Sequence, residues 1–205
     1  EFSLYQRHLK RTAETAPRWR SNPNNPLGTL ADPAEQATVW DEAFYPIATG
    51  QFTRGDEQSW RIGSMTKIWA CAGLRLGYVV APDAQSCQVL ASRQPKWSVN
   101  GLALAIIEPM LEKTDLRVMK DQLEVLRASL FLLLQEKGIA VQMTTANWLL
   151  IHNGATLYEH LAKKNIFMRN CASFGLENTY RIAVPAKTSI EKIKIALMDF
   201  EVEHE

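Results

Sequence analysis

Apolar positions divide the chain into alternating segments. From Asp115 to Lys137, Leu116, Met119, Leu123, Leu126, Leu130 and Leu133 recur at spacings of three and four, which predicts a long amphipathic helix stopped by Gly138. Leu102 to Leu111 is almost continuously apolar and reads as a buried helix. Phe2, Tyr5 and Leu9 give a short helix with Arg7, Lys10 and Arg11 outside. Asp32-Pro33-Ala34-Glu35 has the form of a capping box with proline at the first helical position, predicting a helix of about two turns. Thr156 to Lys164 and Thr188 to Glu201 complete the helices. Strands are predicted at Leu76–Ala81, Val141–Met143, Trp148–Ile151, Ile166–Met168 and Tyr180–Val184, and Ser21 to Thr29 is a loop of turn-forming residues. Strands alternating with helices imply an α/β fold with a mainly parallel sheet in the first half and a smaller α+β unit in the second. The corresponding domains are 1–114 and 115–205, the second opened by the long helix.

Composition narrows the function classes. The 205 residues carry 23 Lys+Arg against 22 Asp+Glu, a net charge of +1, which gives no field to collect nucleic acid or an anionic membrane. Arg7-His8-Leu9-Lys10-Arg11 and Arg18-Trp19-Arg20 are therefore expected to be solvated faces. No apolar run approaches the ~20 residues of a membrane span, and no export signal opens the chain. The chain begins at Glu1 rather than Met, which is the form expected of a processed, trimmed or partial chain. Cys71, Cys87 and Cys171 are odd in number and widely spaced, which argues for reduced thiols and a cytoplasmic setting. The four histidines show no zinc-binding spacing, so no metal site is expected.

Four short segments carry candidate chemistry: Asn22-Pro23-Asn24-Asn25-Pro26-Leu27-Gly28, Asp41-Glu42-Ala43-Phe44, Ser64-Met65-Thr66-Lys67 with Arg75 eight residues on, and Tyr180-Arg181-Ile182-Ala183-Val184. Each is weak alone; a lone lysine is ordinarily a solvated charge, and Asn22 and Asn24 read as turn formers. In this order, and with this lysine–arginine spacing, they resemble the fold-type-I enzymes dependent on pyridoxal 5′-phosphate, the class I/II aminotransferase superfamily. The resemblance implies a partial three-layer αβα large domain with a mainly parallel sheet. It also implies a homodimer acting on a small amino-acid substrate, with no nucleic acid or membrane partner.

The resemblance assigns roles residue by residue. Lys67 matches the Schiff-base lysine; its neighbours Met65, Ile68 and Trp69, with Arg75 nearby, are expected to enclose it and favour the neutral amine. Asp41, behind the apolar Val39-Trp40, matches the carboxylate that pairs with the protonated pyridine nitrogen, which a buried carboxylate requires as a cationic partner. Asn25 matches the asparagine on the ring hydroxyl. Ser64 and Arg75 match the phosphate clamp, with Gly73 and Gly77 permitting close backbone approach. Arg181, Arg169 and Asn147 are the implied substrate contacts.

Within the superfamily, Phe44, Pro95-Lys96-Trp97-Ser98-Val99-Asn100 and Met168 to Leu176 are most similar to threonine-phosphate decarboxylases of cobalamin biosynthesis. Histidinol-phosphate aminotransferases are the alternative. The implied reaction converts L-threonine O-3-phosphate to (R)-1-amino-2-propanol O-2-phosphate. The family's phosphate-binding glycine loop and stacking aromatic precede every matching residue, and only twelve residues separate Gly28 from Asp41. The resemblance thus implies an enzyme shortened at its front and inside, or a non-catalytic remnant. The polar approaches Ala16–Arg20 and Ser59–Ile62, with Pro17 in the first, are expected to make poor buried strands.

Overall fold

A computed structural model describes residues 16–201. The helix expected at Phe2–Leu9 and the basic cluster at Arg7–Arg11 lie outside them. The described residues form two compact units. One comprises, of the described residues, 16–23 and Leu30–Lys120; the other comprises Asn24–Thr29 and 121–201.

The first unit is built on a four-stranded sheet in the order β1 (Trp19–Ser21), β2 (Val39–Asp41), β3 (Trp60–Ser64), β4 (Gly77–Val80). β1, β2 and β3 are parallel and β4 is antiparallel to β3, so the mainly parallel sheet is present. Strands form at both polar approaches, but the first is a poor buried strand, as expected: β1 has three residues and Trp19 is 58% exposed. Pro17 precedes the ladder, which opens where Thr38 N and Val39 N donate to Arg18 O, so the donor it lacks is not needed. The charges are neutralised locally: Glu35 accepts from Arg18 Nη2 at 2.7 Å and from Arg20 Nε at 2.8 Å.

The helix expected at Asp32–Glu35 is instead a turn. Asp32 Oδ1 accepts from Ala34 N, and Asp32 O accepts from Glu35 N. Glu35 turns to the two arginines rather than back to residue 32, and Thr38 already joins the sheet. Parallel neighbours are usually joined through a crossover helix. Here Arg54 does part of that work. Its guanidinium lies 4.0 Å from the Trp40 ring centroid, and Nη2 donates to Pro33 O and Glu35 O. Trp40 is completely buried.

Helix α1 (Tyr45–Thr49) follows β2 and α2 (Met65–Ile68) follows β3. Helix α3 (Ala84–Arg93), which sequence periodicity missed, starts on Asp83, whose side chain accepts from Ser86 N at 2.7 Å. Helix α4 (Gly101–Glu112) forms as expected, capped by Asn100, but it is not a buried helix. Only Ala103 is buried, while Leu102 is 65% and Leu104 61% exposed. One face meets the core around Met65, Ile68 and Leu76, and no other described element of the unit covers the rest.

Helix α5 (Leu116–Glu136) is the long helix read from the heptad-like spacing. Asp115 caps it, accepting from Arg117 N and Val118 N at 3.0 Å. Gly138, with φ 70°, ends it in the left-handed conformation that favours glycine. The second unit is an antiparallel sheet in the order β5 (Val141–Gln142), β6 (Trp148–His152), β8 (Thr179–Ala183), β7 (Arg169–Asn170). The strand expected at Ile166–Met168 is displaced to Arg169–Asn170, because it pairs only where its register meets Tyr180 and Arg181. Helices α6 (Ala155–Ala162) and α7 (Lys187–Ala196) pack on the sheet through Leu157, Leu161, Ile190 and Ile193. α7 ends five residues before Glu201, and its Ile195 is exposed.

Gly63 lies opposite Tyr78 across β3 and β4, and a Cβ there would sit 2.0 Å from the Tyr78 ring. Gly63→Ala should cost about 1–3 kcal/mol by overpacking. Urea denaturation should show the loss and its recovery in Gly63→Ala/Tyr78→Leu.

Candidate functional site

In the parallel-sheet unit, the candidate residues gather at the carboxyl ends of the strands, where α/β sheets bind ligands. Asp41 is the last residue of β2 and Ser64 the last of β3. The alternation of the strand delivers Asp41 after the buried Val39 and Trp40, as the sequence pattern implied. Its Oδ1 accepts from Ala43 N at 3.0 Å. Burial raises its carboxyl above the ordinary aspartate value, and the Ala43 bond opposes this only in part. It forms no ion pair among the described residues.

Ser64 Oγ and Thr66 Oγ1 share a hydrogen bond of 2.8 Å, and Thr66 N donates to Leu76 O. This folds the Ser64–Lys67 turn against the Arg75–Leu76 segment. Arg75 takes a left-handed conformation, φ 52°, and its guanidinium is exposed, bonded to the Ala72 carbonyl of its own turn. Gly77 is explained by packing rather than by a ligand: a Cβ there would lie 2.9 Å from Gly63 O, while Gly73 has open space.

Lys67 corrects one expectation. Met65 and Ile68 point into the core, whereas Lys67 is exposed on α2 and is not enclosed by them. Its Nζ lies 5.2 Å from the centroid of the Phe44 ring. Glu42, which sequence reading passed over, is fully buried. Its Oε1 accepts from Arg54 N at 2.9 Å, and desolvation raises its carboxyl. Tyr78 is pushed up to about 12, by burial first and the Glu42 charge second.

This donor set fits pyridoxal phosphate. Asp41 is a half-buried carboxylate with no cation beside it among the described residues, Lys67 is an accessible amine, and Ser64, Thr66 and Arg75 offer two hydroxyls and an exposed guanidinium for a dianionic phosphate. Thr66 is the clamp candidate that the sequence reading missed; its signal was a second hydroxyl two residues from Ser64.

The second group of candidates lies in the antiparallel unit. Although 156 positions apart in sequence, Asn25 and Arg181 meet: Arg181 Nη1 donates to Asn25 Oδ1 at 2.6 Å. Three bonds anchor the Asn25 loop. Trp148 Nε1 donates to Pro26 O at 2.8 Å, and Thr145 donates to Gly28 O through both its amide and its hydroxyl. Gly28 has φ 66°, and a Cβ there would lie 2.6 Å from Thr144 Cβ, so only glycine fits.

Strand alternation puts Leu149, Ile151, Tyr180 and Ile182 in the core and leaves Arg181 on the other face. Its guanidinium lies 4.9 Å from the Trp148 ring centroid and 5.6 Å from that of Phe174. Arg169 stands directly opposite Arg181 in register and 5.9 Å from the same Phe174 ring. Arg181 is shifted below the ordinary arginine value, chiefly by burial; its neighbour Arg169 acts in the same direction. Neither arginine has a carboxylate partner among the described residues. Asn147 is placed at the head of β6, but its buried Oδ1 has no hydrogen-bond partner and reaches neither arginine.

The sequence profile of the family described as aminotransferase class I and II matches residues 8–200. A threonine-phosphate decarboxylase from Salmonella typhimurium is 30% identical over 203 residues, covering 85% of this chain and 55% of the relative. A histidinol-phosphate aminotransferase from Geobacillus sp. is 24% identical, covering 87% of this chain and 55% of the relative. The crystal structure of a histidinol-phosphate aminotransferase from Clostridium acetobutylicum superposes with a TM-score of 0.75 at 25% identity, over 87% of this chain and 62% of that one. The chain spans about half the length of these curated relatives. Its motifs, its sheet and a match across nearly its whole length all agree: the chain belongs to the class I and II aminotransferase family.

Proposed function

We propose that the chain binds pyridoxal phosphate and decarboxylates L-threonine O-3-phosphate to (R)-1-amino-2-propanol O-2-phosphate, a step of cobalamin biosynthesis. The observation that carries this is the Arg169–Arg181 pair. Like charges directly opposite on neighbouring strands destabilise a sheet, and no carboxylate relieves this pair among the described residues. A substrate with a carboxylate and a phosphate would supply both missing anions. Phe44 supports the decarboxylase over the aminotransferase, since it has no hydroxyl to offer the cofactor ring.

The residues divide the work. Asp41 would hold a proton on the ring nitrogen of a bound cofactor, and Ser64, Thr66 and Arg75 would hold its phosphate. Asn25 orients the ring through its amide. The cofactor, when bound, supplies the electron sink for the pair left at Cα. Arg181 grips the substrate carboxylate and Arg169 the phosphate. With carbon dioxide leaving as the bond from Cα to the carboxylate breaks, Lys67 would deliver the replacing proton to Cα from its ammonium group. The exposed leucines of α4, Leu102 and Leu104, support the homodimer that the family resemblance implies.

The purified chain mixed with pyridoxal phosphate should show a visible absorption band that Lys67→Ala abolishes; absence of a band in the unaltered chain would sink this reading. With the band present, L-threonine O-3-phosphate should release carbon dioxide, whereas a 2-oxo product would mark an aminotransferase. Asp41→Asn should retain pyridoxal phosphate poorly yet stabilise the cofactor-free chain at pH 8. The sign follows from burial: a carboxyl raised above its unfolded value is a cost while ionised, and the cost disappears as pH falls through the folded value. The melting-temperature gap between variant and parent should therefore shrink on acidification. Arg169→Ser should raise stability by about 0.2–1 kcal/mol while increasing KM for the phosphorylated substrate, because it removes a facing like charge.

A further inference from the structure

Trp148 touches both of the elements that hold the anion-binding arginine. It is 4% exposed, and its Nε1–H donates to Pro26 O at 2.8 Å. Its ring lies 4.9 Å from the Arg181 guanidinium carbon, and Arg181 Nη1 donates to Asn25, the residue immediately before Pro26. Trp148, Pro26, Asn25 and Arg181 thus close a ring of contacts within one unit. Two features indicate that this ring is more than packing. By strand alternation Trp148 lies on the face away from the Leu149–Ile151 core, alongside Arg181. Arg181 Nε is buried with no hydrogen-bond partner, so the guanidinium is held by one neutral acceptor and two aromatic faces rather than by an acid.

We propose that Trp148 is a positioning residue for anion recognition. Its N–H fixes the loop that carries Asn25, and its ring face fixes the plane of the Arg181 guanidinium, so that the fork stays aimed for a bidentate anion. Phenylalanine would keep the ring face but leave Pro26 O without its donor. Leucine would lose both the face and the donor. The inference rests on the reading of Arg181 as the group that binds the substrate anion.

The test measures binding of L-threonine O-3-phosphate to the full chain loaded with pyridoxal phosphate, by calorimetric titration, in Trp148→Phe, Trp148→Leu, Arg181→Lys and Trp148→Phe/Arg181→Lys. Trp148→Phe should weaken binding about fivefold, the scale of one neutral hydrogen bond. Trp148→Leu should weaken it about thirtyfold as the cation–π contact is also lost. In the Arg181→Lys background Trp148→Phe should change affinity no further, because the fork it aims is gone. Equal losses in both backgrounds would mean a merely structural role and overturn the proposal, as would parental affinity in Trp148→Phe. Parental affinity in Arg181→Lys would instead overturn the reading of Arg181, and the proposal with it. If Trp148→Leu fails to unfold cooperatively, the Trp148→Phe pair decides alone.

Discussion

Two parallel neighbours can be joined only by a chain that crosses back over the sheet, and between β1 and β2 that return is made by residues 22–38 without a helix. The rest of the arrangement follows from how so short a connection is held. Part of it, Asn24–Thr29, belongs to the antiparallel unit, where Trp148 and Thr145 bind its carbonyls. The remainder is held by Arg54 on Pro33 O and Glu35 O and by Glu35 on Arg18 and Arg20. Side chains therefore make the tertiary contacts that a crossover helix would otherwise make with an apolar face. Polar side chains suit this role because the connection has few apolar residues to bury, and its carbonyls need donors.

This substitution also explains why charged residues penetrate the first unit. Arg54 covers the Trp40 ring while its own amide serves Glu42, which is wholly buried. The end of β2 is thus a desolvated place, and Asp41 inherits that environment: its carboxyl is raised because water is excluded and only one amide compensates. On the proposed reading, a cationic ring nitrogen would be drawn to a carboxylate that is poorly satisfied beforehand. In the antiparallel unit the same economy applies with opposite charge. Arg169 and Arg181 repel across β7 and β8, and their pairing is tolerable because Phe174 lies against both and Asn25 takes one N–H.

Much of this was legible from the residues. The spacing of Leu116, Leu123 and Leu130 gave the long helix, because burial of one face enforces a 3.6-residue period whatever the partner. Asp41 stands behind the apolar Val39-Trp40 in the sequence, and the three form β2 with Asp41 at its end. The Asp32–Glu35 capping box misled, because a local signal worth about 1 kcal/mol lost to two arginines on β1 and to a ladder that begins at Thr38. Leu102–Leu111 misled on burial, since apolar content says that a face can be covered, not that the chain supplies the cover. The exposure of Lys67 was equally invisible, as its apolar neighbours turned the other way around α2.

The sequence by itself determined the family, the long helix and the residue types at each candidate position, because these depend on local spacing and on chemistry that no neighbour changes. Tertiary structure alone decided which candidates meet. Asn25 and Arg181 are joined across 156 positions, Arg169 faces Arg181 only through strand register, and Trp148, the first residue of β6, reaches Pro26 across 122 positions. Such pairings depend on long-range closure, which no local pattern encodes, and the electrostatics of the site follow from them rather than from the residues taken singly.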